Sequence, residues 1–183
     1  MSSYRQQNRE RLIKLLANIP TKDSPDGWQC LGRIAIGGLR EVGFSRSAEY
    51  LLVVSSTGRG VIDCDSGEKV ARDYDEFGAW YVPEALTCEG IGPIEGEQVQ
   101  TAGMSGGGLR TQSSRGDMLE ICSPEWPYTD LYFCPKGKIA LADGFQDGCV
   151  QIASDDFLAY GFSWSGNTFV YATSSDVTIF KRS

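Results

Sequence analysis

From Trp28 to the C-terminus the apolar residues of this chain come in short runs that never reach helical length, each closed by a turn signal. Runs such as Arg33–Ile36, Leu39–Phe44, Tyr50–Val54, Gly60–Cys64, Glu68–Arg72, Glu97–Ala102, Met118–Cys122 and Leu131–Cys134 are followed by Lys138–Ala142, Cys149–Ala153, Leu158–Phe162, Thr168–Thr173 and Val177–Lys181. Between them lie Ser56-Thr57-Gly58, Asp65-Ser66-Gly67, Pro135-Lys136-Gly137 and Ser165-Gly166-Asn167. Short apolar runs bounded by Gly, Ser, Asn and Asp are strands joined by tight turns. With 22 glycines against 7 prolines the chain is rich in the residue that tight turns need. The pattern predicts sequential antiparallel hairpins, a meander or one of its closed relatives.

One helix precedes the strands. Ser3 is placed to cap it, with Gln6 three residues on, and Leu12, Leu15, Leu16 and Ile19 form a single apolar stripe. Pro20 ends it. An internal repeat follows: Gly43-Phe44-Ser45-Arg46-Ser47 leads into the apolar run at Leu51, and Gly161-Phe162-Ser163-Trp164-Ser165 leads into the one at Phe169. The copies are 118 residues apart, near three periods of about 40. The expected fold is therefore mainly β, an antiparallel meander with β-propeller-blade-like hairpins in a small or incomplete ring, plus one N-terminal α-helix. A single domain is expected over residues 1–183, with the helix in 1–20 and the β-rich core in 28–183.

Charge and composition narrow the function. Residues 60–100 hold ten acids against two bases, a net −8, whereas residues 1–19 carry +3. Such a segment is either a solvated face or a patch complementary to a basic partner. Phosphate binding needs the opposite sign, so nucleic acid is not expected as a partner. No apolar run is long enough for a membrane helix, and no secretory signal pattern opens the chain, so a cytoplasmic protein without membrane contact is expected. The six cysteines include no C-x-x-C pair and read as reduced thiols on strands, with no metal and no cofactor.

The chain has no histidine, which removes the usual neutral-pH base and the Ser-His and Cys-His pairs. Gly103-Met104-Ser105-Gly106-Gly107 matches the G-x-S-x-G pattern, yet no histidine can activate Ser105 and no helical signal follows. The segment reads instead as a loop whose backbone approaches its own core or a partner. Asp63-Cys64-Asp65-Ser66-Gly67-Glu68 lacks the spacing of a calcium loop and reads as a hairpin turn. Acid pairs at Asp155-Asp156 and Asp73/Asp75/Glu76 leave room for a carboxylate-dependent hydrolase. Residues 73–81, which interleave Asp73, Asp75 and Glu76 with Tyr74, Phe77, Trp80 and Tyr81, read either as core aromatics or as an interface with anchors and a charged rim. Trp126-Pro127-Tyr128 is a second, weaker anchor of that kind.

Several long phrases carry a resemblance. They are Ile36-Gly37-Gly38-Leu39-Arg40-Glu41-Val42-Gly43-Phe44-Ser45, the stretch LLVVSSTGRGVIDCDSGEKVARD over 51–73, GIGPIEGE over 90–97 with Gly106-Gly107-Gly108-Leu109, and residues 161–182. Together they cover most of the chain beyond the helix. They resemble small β-rich bacterial proteins encoded beside polymorphic toxin genes, including Rhs-type effectors delivered by type VI secretion. That resemblance implies an immunity protein that binds and blocks a cognate toxin, ADP-ribosyltransferases among the targets, and it carries over no functional residues. The expectation is a non-enzymatic inhibitor that seats Asp73, Tyr74, Asp75, Glu76, Trp80 and Tyr81, with Met104, Ser105 and Leu109, over a basic toxin cleft. The alternatives are a propeller-like scaffold or interaction module without a toxin partner and, third, the carboxylate-dependent hydrolase.

Overall fold

The computed structural model describes residues 3–75 and 78–183. One helix, α1 (Tyr4–Leu16), precedes β1 (Trp28–Ala35), β2 (Leu39–Phe44), β3 (Tyr50–Ser55), β4 (Gly58–Asp63) and β5 (Lys69–Asp73). Four short strands come next, β6 (Tyr81–Val82), β7 (Thr87–Glu89), β8 (Gln98–Gln100) and β9 (Ala102–Gly103). Then follow β10 (Met118–Cys122), β11 (Thr129–Cys134) and β12 (Val150–Asp155), and finally β13 (Ala159–Phe162), β14 (Thr168–Ala172) and β15 (Asp176–Arg182). The fold is mainly β with one N-terminal helix, as the turn spacing implies, and all named strand pairs are antiparallel. Among the described residues no sheet closes into a barrel. The chain divides into two compact units, Met1–Asp26 with Ser114–Asp156, and Gly27–Ser113 with Phe157–Ser183.

In the first unit α1 covers the sheet β10-β11-β12. Ser3 caps the helix, its hydroxyl accepting from the Gln6 N–H at 3.3 Å. Of the apolar stripe, Leu16 and Ile19 are buried against Tyr132, Cys134, Ala140 and Cys149. Residues 138–142 depart from the expected strand. Ala140 and Leu141 turn their amides to the Glu120 carboxylate, at 2.6 and 3.4 Å, so this apolar run forms a turn held by a side chain and not a ladder.

The second unit has three layers. The middle sheet runs β5-β4-β3-β2-β9, flanked by β1-β15-β14-β13 and by β6-β7-β8. Residues Leu51 to Val54 of β3 are all buried. Leu51 and Val53 face Val170, Val177 and Ile179, while Leu52 and Val54 face Trp80, Cys88, Ile94 and Val99. Burial on both faces explains why this strand is a continuous apolar run and not an alternating one. The β13–β15 meander also carries a buried aromatic ladder, with Phe169 stacked on Phe180 at 4.4 Å and edge-on to Trp28 at 4.7 Å.

The sequence repeat is structural. In both copies a serine ends the strand and its hydroxyl meets the hydroxyl two residues on, Ser45 with Ser47 at 3.0 Å and Ser163 with Ser165 at 3.2 Å. The next turn of each copy repeats the device, Ser55 with Thr57 and Thr173 with Ser175, both at 3.4 Å. These local bonds let a Ser/Thr side chain define the reversal. The two copies also touch: the Trp164 indole N–H donates to the Phe44 carbonyl at 3.3 Å, and the Arg46 guanidinium lies over its ring at 4.4 Å.

The repeated glycines, Gly43 and Gly161, are where another segment crosses the strand. A Cβ on Gly43 would run into the Gln100 carbonyl, and one on Gly161 into Leu109 and Arg110. Gly43→Ala is expected to lower stability by about 1–3 kcal/mol, the usual cost of overpacking. Gly37→Ala meets nothing within 4 Å and is expected to change it by less than about 0.5 kcal/mol. Urea denaturation of the two variants checks this; equal midpoints would overturn the role given to Gly43.

Candidate functional site

The site is built on a strand irregularity. Leu39 and Val42 of β2 both face the first core although they are three residues apart, because the ladder with β3 shifts register between Leu39 and Glu41. The shift places Glu41 opposite Val54 on the other face, beside Gly103 of β9. An acid thus enters the layer that otherwise holds Val54, Trp80 and Val99. Glu41 is 1% exposed.

Two groups hold its carboxylate. Tyr81 O–H donates to Oε1 at 3.0 Å, and the Ser105 N–H donates to the same oxygen at 2.8 Å. The hydroxyls of Tyr81 and Ser105 are 2.7 Å apart. Since the phenol proton goes to Glu41, Ser105 is the donor in that bond, and the chain runs from Ser105 to Tyr81 to Glu41. The second oxygen, Oε2, is buried without a hydrogen-bond partner. Burial pushes the Tyr81 phenol up and Glu41 adds to the shift, while the bond to Ser105 opposes it. Tyr81 therefore stays a protonated donor at neutral pH and cannot take the Ser105 proton as a general base. The flanks of Ser105 also differ from a hydrolase elbow: β9 precedes it, but a turn and extended residues follow in place of a helix.

Glu41, Tyr81 and Ser105 line a cleft of about 410 Å³. Arg40, Gly78, Pro83 and Met104 complete its walls. Met104 is 69% exposed. Asp75 stands at the margin, since a Cβ on Gly78 would come within 2.6 Å of its Oδ2.

The residues expected at an interface divide into three groups. Tyr81, Met104 and Ser105 come together in the cleft, with Asp75 at its edge. Tyr74 is 76% exposed, its ring under the Arg72 guanidinium at 4.9 Å. Asp73 and Trp80 have structural partners instead. Asp73 accepts from Arg59 at 3.2 Å and from the Asp75 N–H at 3.0 Å, and those bonds hold its carboxyl below the ordinary range against the opposing effect of burial. Trp80 is 7% exposed within the second core, with the Arg59 guanidinium over its ring at 4.8 Å. Its position corrects the expectation of a surface anchor: the indole is needed to fill the space between the middle sheet and β6-β7-β8. Leu109 packs half-buried on the first core. Glu76 lies outside the described residues, as does Phe77.

The Asp63–Gly67 segment is the hairpin turn expected, with Asp65 N–H donating to Asp63 Oδ1 at 2.7 Å and Gly67 N–H to the Asp63 carbonyl at 2.8 Å. Asp155 and Asp156 form a similar local contact, side chain to next amide, at 2.8 Å. In the first unit Trp126 and Tyr128 are exposed, at 83% and 60%. Trp126 borders a groove with Arg5, Arg9 and Pro124, and Arg9 donates to the Pro124 carbonyl at 2.7 Å.

Glu41 is the residue that sequence reasoning missed. The signal was present: an acid inside the apolar strand 39–44, at a position the alternation would otherwise assign to a buried side chain.

Glu97 clamps the first repeat turn. Its carboxylate accepts from the Ser45 hydroxyl at 2.7 Å, the Arg46 N–H at 2.6 Å and the Ser47 hydroxyl at 3.0 Å. Burial alone would raise its pKa, but these donors outweigh it and hold the carboxyl below its ordinary value of 4.5. A carboxyl with a depressed folded pKa contributes stability above the unfolded value and loses it as pH falls through the folded one. The stability difference between wild type and Glu97→Gln is therefore expected to be constant above about pH 5 and to shrink below about pH 4.5. Denaturant midpoints across the acid range check it, and a difference that persists unchanged in strong acid would overturn it. Comparison with known protein families and with curated proteins finds no match for this chain.

Proposed function

We propose that this chain is an immunity protein, which binds a cognate bacterial toxin in the cytoplasm and neutralises it by covering the toxin's active site. One observation carries the reading most: the cleft formed by Glu41, Tyr81, Met104 and Ser105 joins a carboxylate to an exposed thioether, with Asp75 at its edge. An exposed apolar contact with a carboxylate at its edge is suited to a basic protein surface, where the apolar group anchors and the charge orients. The exposed ring of Tyr74, adjacent to Asp75, extends the same chemistry.

The scaffold beneath this surface is tied together by a buried cation. Arg59 is buried, bonded to Asp73 and to the Glu89 carbonyl at 2.6 Å, and stacked on Trp80. Asp73 is thereby held at the end of β5, and it accepts from the Asp75 N–H at 3.0 Å. An inhibitor of this kind needs no proton-transfer group, in keeping with a Tyr81 that remains a donor.

The test is a binding measurement with the inactivated product of a neighbouring toxin gene. A stoichiometric complex that weakens with salt is expected. Tyr74→Ala and Asp75→Ala are each expected to raise the Kd by about tenfold, or roughly 1.4 kcal/mol. Trp80→Ala acts differently: it is expected to cost about 3–5 kcal/mol of folding stability as a core truncation. Failure to recover any complex with wild-type protein would remove the immunity reading.

A further inference from the structure

We infer that the Glu41 cleft is a receptor for one cationic side chain, the ammonium of a lysine or the guanidinium of an arginine, presented by the partner. The inference rests on the binding reading above and names the group that is bound.

A carboxylate at 1% exposure is stable only when hydrogen-bonded and neutralised. Glu41 meets half of that requirement. Oε1 accepts from Tyr81 and Ser105, and both donors are neutral. Oε2 accepts from nothing. Protonation does not remove the mismatch, since a carboxylic acid would bring a hydroxyl that equally needs an acceptor. The chemistry that completes the site is a donor carrying positive charge, because a charge-assisted bond to a carboxylate is about twice as strong as a neutral one.

The cleft suits the rest of such a side chain. Tyr81, Pro83 and Met104 offer ring, methylene and thioether surface to an aliphatic stem, and methionine adapts its shape to irregular guests. Asp75 beside Gly78 adds a second carboxylate at the margin of the cleft, whose lining also includes Arg40. Oε2 is itself buried beside Gly103, so the guest reaches it only by displacing part of the cleft wall. The Met104–Ser105 turn above the carboxylate is closed by reciprocal backbone bonds between Gly103 and Gly106, both 3.0 Å.

The experiment uses the full chain labelled at the methionine methyl groups, with N-acetyl-lysine amide and N-acetyl-arginine amide as probes and neutral N-acetyl-citrulline amide as the control. Saturable shifts confined to the Met104 methyl are expected with either cationic probe and not with the control. Glu41→Gln keeps the size and an acceptor for Tyr81 and Ser105 but turns the other atom into a donor, so it is expected to abolish the shifts. Thermal denaturation of this variant shows whether it is folded, and Asp75→Asn, which leaves the core intact, is the second variant and is expected to weaken the probes severalfold. Equal shifts from cationic and neutral probes, or none from any, overturn the inference, as does an unchanged response in folded Glu41→Gln; a buried water then completes Glu41. With the toxin as ligand, a wild-type complex that Glu41→Gln leaves at full affinity overturns the receptor and spares the immunity reading. Selective probe binding with no toxin complex supports the receptor and removes that reading.

Discussion

The second unit depends on β3 being buried on both faces. Leu51 and Val53 anchor the β13–β15 meander on one side, and Leu52 and Val54 anchor the β6-β7-β8 layer on the other. Each of these four side chains contributes roughly 1.5–3 kcal/mol by leaving water. A strand that serves two cores has no solvent-facing position on which to place a charge. A charged group must therefore sit on a neighbouring strand, and β2, paired with β3 on one side and β9 on the other, carries Glu41.

That arrangement explains the unusual status of Glu41. The register shift in β2 keeps Leu39 and Val42 in the first core, and its by-product is a carboxylate inside the second layer. Tyr81 and the Ser105 backbone come from two separate segments to meet it, so the cleft exists only when β2, β6 and the β9 turn are all in place. Trp80, the neighbour of Tyr81, locks β6 from below through Arg59. Packing and site are thus one construction: the aromatic pair 80–81 gives one ring to the core and one to the cleft.

The fold class was legible in the sequence because strand and turn chemistry are local. The Ser-x-Ser turns at 45–47 and 163–165 carry their own hydrogen bonds, and so announced a repeat that the structure contains. Lys138–Ala142 misled because its apolar residues imitate a strand, while the group that decides its conformation, Glu120, is some twenty residues away. Trp80 misled in the same way: acids around an aromatic describe a rim equally well whether the ring is inside or outside. The cleft was only half legible. Tyr81, Met104 and Ser105 were singled out, yet Glu41 joins them through a bulge, and bulges are set by the partner strand and not by local composition.

The pairing of β1 with β15 has a kinetic consequence. Trp28 meets Arg182 and Ala35 meets Asp176, so the first strand of the core finds its neighbour only in the last stretch of the chain. As the chain is synthesised from its N-terminus, β1 emerges long before its partner, and until then its backbone donors and acceptors face water as an open sheet edge. Contacts of such large sequence separation form slowly, because a long loop must close before they are rewarded. The protein thus completes that sheet only after β15 has been made, and in that interval β1 lacks the partner its ladder requires.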